Sequence, residues 1–138
     1  MQIEPVNGHR KLRVLVVDNH RDSADALAWL LHNIGHLVCT AYDAASALRA
    51  FDAFSPDVVF QDLLHPARDA GLVIARELRR RTPSSSAVLI AMTAADHAAA
   101  LRASEREAFD HVILKPVALK ELNKILGKAG RRAGGAAA

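Results

Sequence analysis

The sequence predicts an α/β protein with a five-stranded, doubly wound parallel sheet, and three observations lead to that fold class. Short apolar runs rich in β-branched residues alternate five times with stretches that carry apolar residues at helical spacing. The short connections between strands and helices require parallel strands with right-handed crossovers. Five such units in about 120 residues suit an open sheet and are too few for an eight-stranded barrel.

Each predicted strand is an apolar run of strand length, and four of the five end in a polar residue. LRVLVVD ends in Asp18, and HLVCTAY is the second strand. PDVVFQD ends in Asp62, AVLIAMT ends in Thr93, and FDHVILKP ends in Lys115 and Pro116. Continuous apolar runs of this kind are typical of strands that are buried on both faces.

The predicted helices follow the strands, with polar residues at their starts. DSADALAWLLHNIG has Asp22 or Ser23 as its N-cap and ends at Gly35, and DAASALRAFDAF has Asp43 as its N-cap. LVIARELRRR is the third helix, DHAAALRASEREA the fourth and VALKELNKILGK the fifth. Between the third strand and the third helix, LLHPARDAG is predicted to be a loop.

Length and composition indicate one domain. The chain has 138 residues, of which 51% are hydrophobic, enough to form a full core. Residues 1–11 are predicted to be a flexible flank, residues 12–128 the domain, and the low-complexity residues 129–138 a disordered tail. The formal net charge is +3, with the basic excess near the two ends, which indicates solvated termini.

Several classes of protein are disfavoured. No continuous basic stripe is evident, so direct nucleic-acid binding is not expected. One cysteine, Cys39, cannot form an intrachain disulfide or a zinc site. No apolar stretch approaches the ~18 residues of a membrane span, and the N-terminus lacks the apolar core of a signal peptide. A cytoplasmic protein without membrane attachment is therefore expected.

The polar residues at the strand ends indicate where chemistry takes place. In open parallel sheets, ligands bind beyond the carboxyl ends of the strands. The expected topology brings strands one, three, four and five side by side, so Asp18, Asp62, Thr93 and Lys115 converge on one cleft. Each of them alone has an ordinary structural interpretation. Together they suit phosphoryl transfer to a carboxylate, with Mg²⁺ to screen the negative charge.

At this point the sequence resembles the receiver domains of two-component response regulators. The stretches RVLVVDNHRDSADALAWLL, PDVVFQDLLHP and FDHVILKPVALKEL match receiver patterns in sequence and order, and the resemblance runs from about Leu12 to Leu126. It implies a flavodoxin-like sandwich of five βα units, with a cis peptide bond before Pro116. It also implies a switch domain and not an enzyme.

The resemblance assigns roles to single residues. It implies that Asp62 accepts a phosphoryl group from a histidine kinase or a phosphotransfer protein, while Thr93 and Lys115 bind the phosphoryl oxygens. It implies Mg²⁺ ligands at Asp18, Asp62 and the backbone carbonyl of Leu64. The small-residue stretch HAAALRAS, which leaves shallow apolar surface between charged residues such as Arg102 and Lys120, predicts a partner surface on the face of the fourth helix, fifth strand and fifth helix. This face would contact a downstream protein or a second copy of the chain.

The sequence departs from the receiver pattern at the metal site and at the switch position. Asn19 stands where a second acid is usual, so weaker Mg²⁺ binding is expected, with Asn19 a weak ligand. Val112 stands at the switch position, where an aromatic residue or histidine is usual. Gln61 stands where an apolar residue is usual. Ala108 stands where a glycine usually ends the helix, and glycine is the residue that adopts left-handed backbone most easily. The loop before Gly71 is one residue longer than usual.

Two hypotheses from different classes therefore stand. The first is a phosphorylatable receiver; the second is a degenerate receiver that works as a phosphorylation-independent interaction module. A phosphatase or phosphotransferase enzyme is disfavoured, because Leu64 stands where such enzymes usually carry a second acid. Since Leu64 and Ala95 cannot orient a water molecule, slow decay of any phosphoryl group is expected. A stand-alone regulator and a segment of a hybrid kinase fit equally well.

Overall fold

The structure, a computed structural model, describes residues 11–63, 68–81, 87–98, 101 and 103–137. The described strands form one parallel sheet in the order β2-β1-β3-β4-β5, which confirms the predicted fold class and the adjacency of β1, β3, β4 and β5. The strands are β1 Arg13–Val17, β2 Leu37–Ala41, β3 Val58–Asp62, β4 Val88–Thr93 and β5 His111–Leu114. The helices are α1 Arg21–Asn33, α2 Ala44–Phe54, α3 Arg68–Arg81, α4 Ala95–Ala98, α5 Ala103–Glu107 and α6 Leu119–Ala137.

The sheet buries both of its faces because alternate strand residues point to opposite sides. On one side Val16 and Phe60 pack in a cluster with Leu31 of α1 and Leu126 of α6. On the other side a second cluster contains strand residues such as Val59 together with residues of α2 and α3. None of the helices in the described part of the chain combines the length and apolar character that a membrane span requires.

Helix ends agree with the sequence at two positions and differ at one. Gly35 follows α1 with a φ of 106°, and Asp43 caps α2 in a capping box with Ser46. At the start of α1 the cap is His20 instead of Asp22 or Ser23: its Nδ1 accepts a hydrogen bond from the backbone N–H of Ser23 at 3.2 Å. A ring nitrogen without its proton accepts in the same way as a carboxylate oxygen.

Helix α3 begins at Arg68, earlier than the predicted start at Leu72. Gly71 therefore lies inside the helix and not in the predicted loop. A Cβ atom at Gly71 would lie 2.8 Å from Leu63 Cδ2 and 3.2 Å from Gln61 Nε2. The glycine thus allows α3 to approach β3 closely. Residues 64–67 lie outside the described part of the chain.

The predicted fourth helix is divided into α4 and α5. Its sequence contains one large apolar residue, Leu101, which lies between the two helices and packs against the second cluster. A helix of small and charged residues lacks the apolar stripe that holds a long helix to a sheet. Among the described non-glycine residues, only Ser55 has a positive φ, so Ala108 does not carry the expected left-handed strain.

At the C-terminus, α6 continues through residues 129–137, where the sequence predicts a disordered tail. Ala129 is 2% exposed and belongs to the first cluster. The buried alanine extends the apolar face of α6 beyond the predicted boundary, and alanine has the highest helix propensity. Met1 to Arg10 of the predicted N-terminal flank lie outside the described residues.

Candidate functional site

The carboxyl edge of the sheet carries the four polar residues that the sequence selected. Asp62 and Thr93 are the last residues of β3 and β4, Asp18 directly follows β1, and Lys115 directly follows β5. Asp18 is 4% exposed, Asp62 8% and Thr93 1%, while Lys115 is half-buried. The pairing of β4 with β5 aligns Thr93 with Leu114, the residue before Lys115. The sheet therefore brings two buried carboxyl groups, a hydroxyl and an ammonium to one edge.

Asp62 makes an ion pair with Lys115 through its Oδ1 atom. Its Oδ2 atom is buried and has no hydrogen-bond partner among the described residues. Burial raises the pKa of Asp62 above the ordinary value of 3.8; contact with Lys115 opposes this shift, and the negative charge of Asp18 adds to it. One carboxylate oxygen is thus engaged by an ammonium, while the other lacks a donor.

Backbone contacts hold Asp18 beside Asp62. The N–H of Asp18 donates to the carbonyl of Ala41 at 3.1 Å, and Asp18 Oδ1 accepts from the N–H of His20 at 2.9 Å. His20 therefore both caps α1 and fixes the orientation of Asp18, a role that the sequence interpretation missed. Its spacing of three residues from Ser23 is the spacing of an N-cap and could have identified it.

A cleft of about 230 Å³ opens beside the two acids. Asn19 is exposed on its wall, where Tyr42 and Asp43 also lie. The described residues contain no group of three or more His, Cys, Asp or Glu side chains suited to a metal. Asp18 and Asp62 nevertheless supply the oxygen ligands that Mg²⁺ prefers, and Asp62 Oδ2 has no hydrogen-bond partner in the described part of the chain, so this pair fits a divalent cation with few protein ligands.

Gln61 is a second residue whose role the sequence did not reveal. It is 2% exposed and points to the face opposite that of Asp62, where its Nε2–H donates to the carbonyl of Gly71 at 2.7 Å. Its Oε1 atom is buried without a hydrogen-bond partner among the described residues. The amide thus ties α3 to the strand that ends in Asp62, and a glutamine within an otherwise apolar strand was the signal for it.

The remaining candidate residues are placed as follows. The Thr93 hydroxyl contacts the carbonyl of Ala94 at 3.5 Å, and within the described residues it makes no hydrogen bond with Asp62. Val112 is half-buried and packs against the second cluster. The peptide bond between Lys115 and Pro116 is cis. Leu64, with its expected carbonyl ligand, lies outside the described residues, as does Arg102 of the predicted partner surface.

A second opening reaches Asp18 and Lys115 from the other side of the sheet. This groove of about 490 Å³ runs between α1 and the segment after β5. Asp18 and Lys115 are among its lining residues, and so are apolar residues such as Leu27, Leu30 and Val117. A partner of substantial size can therefore approach the carboxyl edge along an apolar surface.

Comparison with known proteins agrees with this geometry. A family model described as the response regulator receiver domain matches residues 14–127. A response regulator receiver protein of Anaeromyxobacter sp. (strain Fw109-5) is 34% identical over 110 residues, which are 80% of this chain and 45% of that protein. The sensory transduction protein RegX3 of Mycobacterium tuberculosis (strain ATCC 25618 / H37Rv) is 31% identical over 121 residues, 88% of this chain and 52% of that protein. The chain thus spans about half the length of these curated relatives.

Solved structures give the same result. A response regulator receiver domain protein from Clostridium thermocellum has a TM-score of 0.76 and 27% identity, covering 88% of this chain and 96% of that one. The response regulator protein TrrA from Thermotoga maritima, in complex with Mg²⁺ and BeF, has a TM-score of 0.72 and 28% identity, covering 85% of this chain and 97% of that one. The family match, the relatives and the fold agree: the chain belongs to the response regulators of two-component systems and is a receiver domain.

Proposed function

We propose that the chain accepts a phosphoryl group on Asp62 from a histidine kinase or a phosphotransfer protein and transmits its signal through a change at the protein surface. One observation carries the proposal. Asp62 is a buried carboxyl group at the edge of an open cleft, with one oxygen on Lys115 and the other without a hydrogen-bond partner among the described residues. This arrangement leaves one oxygen available as a nucleophile while an ammonium lies beside the other.

The proposed step is a displacement at phosphorus. Asp62 Oδ2 forms the new O–P bond as the N–P bond of a phosphohistidine breaks, and the leaving imidazole retains the electron pair and takes up a proton. The Lys115 ammonium would then form an ion pair with one phosphoryl oxygen, and the Thr93 hydroxyl would donate a hydrogen bond to another. Because the carboxylate form is the nucleophile, the raised pKa of Asp62 makes the rate fall as pH is lowered.

Mg²⁺ would be held by Asp18 and Asp62, with the Leu64 carbonyl as the expected third ligand and Asn19 as a weak one. When bound, the cation screens the repulsion between carboxylates and phosphoryl oxygens. Asn19 contributes an oxygen without a charge. Asn19→Asp should therefore bind Mg²⁺ more tightly than the wild type in a titration, and an unchanged affinity would place Asn19 outside the ligand shell.

The experiment for phosphorylation is intact-mass measurement after incubation with acetyl phosphate and Mg²⁺. The wild type should gain one phosphoryl group, and Asp62→Asn should gain none. Asp22→Asn is the matched control, because it removes an exposed carboxylate of α1 that does not line the cleft. Labelling of Asp62→Asn at the wild-type level would refute Asp62 as the phosphoacceptor. A folded wild type that gains no mass would favour the degenerate receiver.

The lifetime of the phosphoryl group also follows from side chains near the site. Hydrolysis needs a water molecule held in line behind phosphorus, and an oriented nucleophile can be worth several kcal/mol. Ala95 is exposed at the start of α4, and neither Ala95 nor Leu64 carries a polar group on its side chain. We therefore expect slow decay, measured by mass after removal of the donor. Leu64→Asn with Ala95→Glu should speed the decay; equal rates would refute the reasoning.

A further inference from the structure

A groove of about 560 Å³ runs along the other side of β5, between that strand and α6. Its apolar part is formed by Val112, Ile113, Ala118 and Ile125. Ile113 and Ile125 are buried, and they belong to the first cluster, so the floor of the groove is rigid core. The groove is thus a fixed concave surface, separate from the cleft beside Asp62.

The rim of this groove is strongly basic. Lys120, Lys124 and Lys128 line it at intervals of four residues, so they form a row along one face of α6 with a rise of about 6 Å between neighbours. All three are exposed, and none forms an ion pair within the part of the chain that the structure describes. The acidic side chain on the rim is Glu121. Three ammonium groups that make no ion pair with the described residues therefore lie beside an apolar floor.

The strand that forms the other wall has an open edge. β5 is the last strand in the order of the described sheet and pairs only with β4. The backbone groups on its outer edge can therefore accept a further strand from another protein. In an extended segment, alternate side chains point to one face at intervals of about 6.6–6.8 Å. This interval is close to that of the lysine row.

From these features we propose that the groove binds an extended acidic segment of a partner protein, which adds to the edge of β5 and places alternate carboxylates against Lys120, Lys124 and Lys128. The proposal goes beyond phosphorylation of Asp62, because it states the chemistry of the partner that the face of β5 and α6 would bind. Charge complementarity supports an acidic occupant, and the apolar floor favours a polypeptide. A nucleic-acid backbone is disfavoured by Glu121 on the rim, and His111 is the one aromatic ring among the lining residues, too few for a row of stacked bases.

A second copy of the chain is a poorer occupant than an acidic segment. A two-fold interface presents the same patch from both subunits, so the lysine row of one copy would face the lysine row of the other. Like charges at this distance repel, and the single glutamate on the rim does not offset three lysines. Self-association through this face is therefore the outcome that contradicts the proposal.

The test is NMR titration of the ¹⁵N-labelled chain, unphosphorylated and at low salt, with an eight-residue peptide in which glutamate alternates with threonine. Chemical-shift changes should map to β5 and α6. The triple variant Lys120→Gln, Lys124→Gln, Lys128→Gln should bind the peptide about tenfold more weakly. The triple variant Lys11→Gln, Arg49→Gln, Arg76→Gln is the matched control, because it removes the same charge from exposed positions that do not line the groove, and it should retain most of the affinity.

Two further peptides separate spacing from net charge. Glutamine in place of glutamate should abolish binding, and the same four glutamates placed together should bind more weakly than the alternating peptide. The proposal would be overturned by equal losses of affinity in the two triple variants, by equal binding of all three peptides, or by no binding of the alternating peptide. It would also be overturned by tighter binding of a single-stranded oligonucleotide, or by self-association that the lysine variant abolishes. Since the protein is not phosphorylated in this assay, failure here leaves the mass measurement on Asp62 unaffected.

Discussion

Replacement of Gln61 by methionine should stabilise the protein, although it removes a buried hydrogen bond. Gln61 lies in the core between β3 and α3, where its Nε2–H donates to the Gly71 carbonyl and its Oε1 has no partner among the described residues. Methionine has a similar length and flexibility and carries no group that requires a hydrogen bond. The perturbation therefore exchanges one satisfied and one unsatisfied polar atom for apolar atoms of similar shape.

The expected magnitude follows from opposing contributions. Loss of the hydrogen bond to Gly71 costs about 0.5–1.5 kcal/mol, whereas removal of a buried unsatisfied acceptor gains about 1–3 kcal/mol. The Gly71 carbonyl lies inside α3, where it also accepts the regular helical hydrogen bond, so it is not left without a partner. The net expectation is a gain of about 1 kcal/mol in the free energy of unfolding, or a rise of about 2–6 °C in Tm.

Urea denaturation followed by circular dichroism measures this difference, with Gln61→Ala and Gln61→Glu as controls. Gln61→Ala should lose about 2–4 kcal/mol, because it opens a cavity beside Leu63. Gln61→Glu keeps the shape but directs a carboxylate oxygen at the Gly71 carbonyl, so it should also be destabilising. If Gln61→Met unfolds at a lower urea concentration than the wild type, the bond to Gly71 outweighs the unsatisfied Oε1 and the reasoning is wrong.

Three other predictions concern stability. Burial raises the pKa of Asp62 above 3.8, so the folded protein holds this proton more tightly than the unfolded chain, and the ionised group destabilises the fold above its folded pKa. Asp62→Asn should therefore be more stable than the wild type at pH 7, and urea titrations should show the difference shrink as pH falls through the raised pKa and vanish below the unfolded value of 3.8. His36 is 3% exposed and its Nδ1 accepts from the N–H of Leu12 at 3.0 Å, so His36→Leu should cost about 1–3 kcal/mol in thermal unfolding and His36→Asn clearly less, while equal losses would show that this bond is not the cause. Ser55 has a φ of 51° at the end of α2, so Ser55→Gly should gain about 0.5–1 kcal/mol in chemical denaturation, and a loss would indicate that the left-handed position is not strained.

The sequence predicts the fold well because each strand is a continuous apolar run and each crossover is short. The sequence predicts the ends of the helices and strands less well where polar side chains hydrogen-bond to the backbone of another element. Asp57 and Asp110 directly precede β3 and β5, and their Oδ2 atoms accept the backbone N–H groups of Arg13 and Leu89 on neighbouring strands, at 2.9 and 2.8 Å. These contacts join residues that are distant in the chain, so local spacing does not reveal them.

The residues of the candidate site could be predicted from the sequence, but the contacts between them could not. The strand ends selected Asp18, Asp62, Thr93 and Lys115, since parallel strands meet at one edge. Sequence spacing does not predict that one oxygen of Asp62 contacts Lys115 while the other has no partner among the described residues, or that His20 orients Asp18. These contacts depend on side-chain directions that tertiary packing sets. The lysine row on α6 was not identified from the sequence, and its position beside a groove depends on how α6 packs against β5.

Asn19 links the metal site to the stability of the protein without metal. Asp18, Asp62 and Lys115 carry two negative charges and one positive charge, a sum of −1 at the carboxyl edge. An acid at position 19 would make the summed charge −2 and would repel Asp62, whose pKa is already raised by burial. The amide therefore lowers repulsion in the metal-free protein and, for the same reason, weakens the attraction for Mg²⁺.

Asn19→Asp should unfold at a lower temperature than the wild type without Mg²⁺ and should gain more in Tm when Mg²⁺ is added, since tighter binding to the folded state raises stability. Equal Tm values for the two proteins in both conditions would show that the charge at position 19 does not reach Asp62.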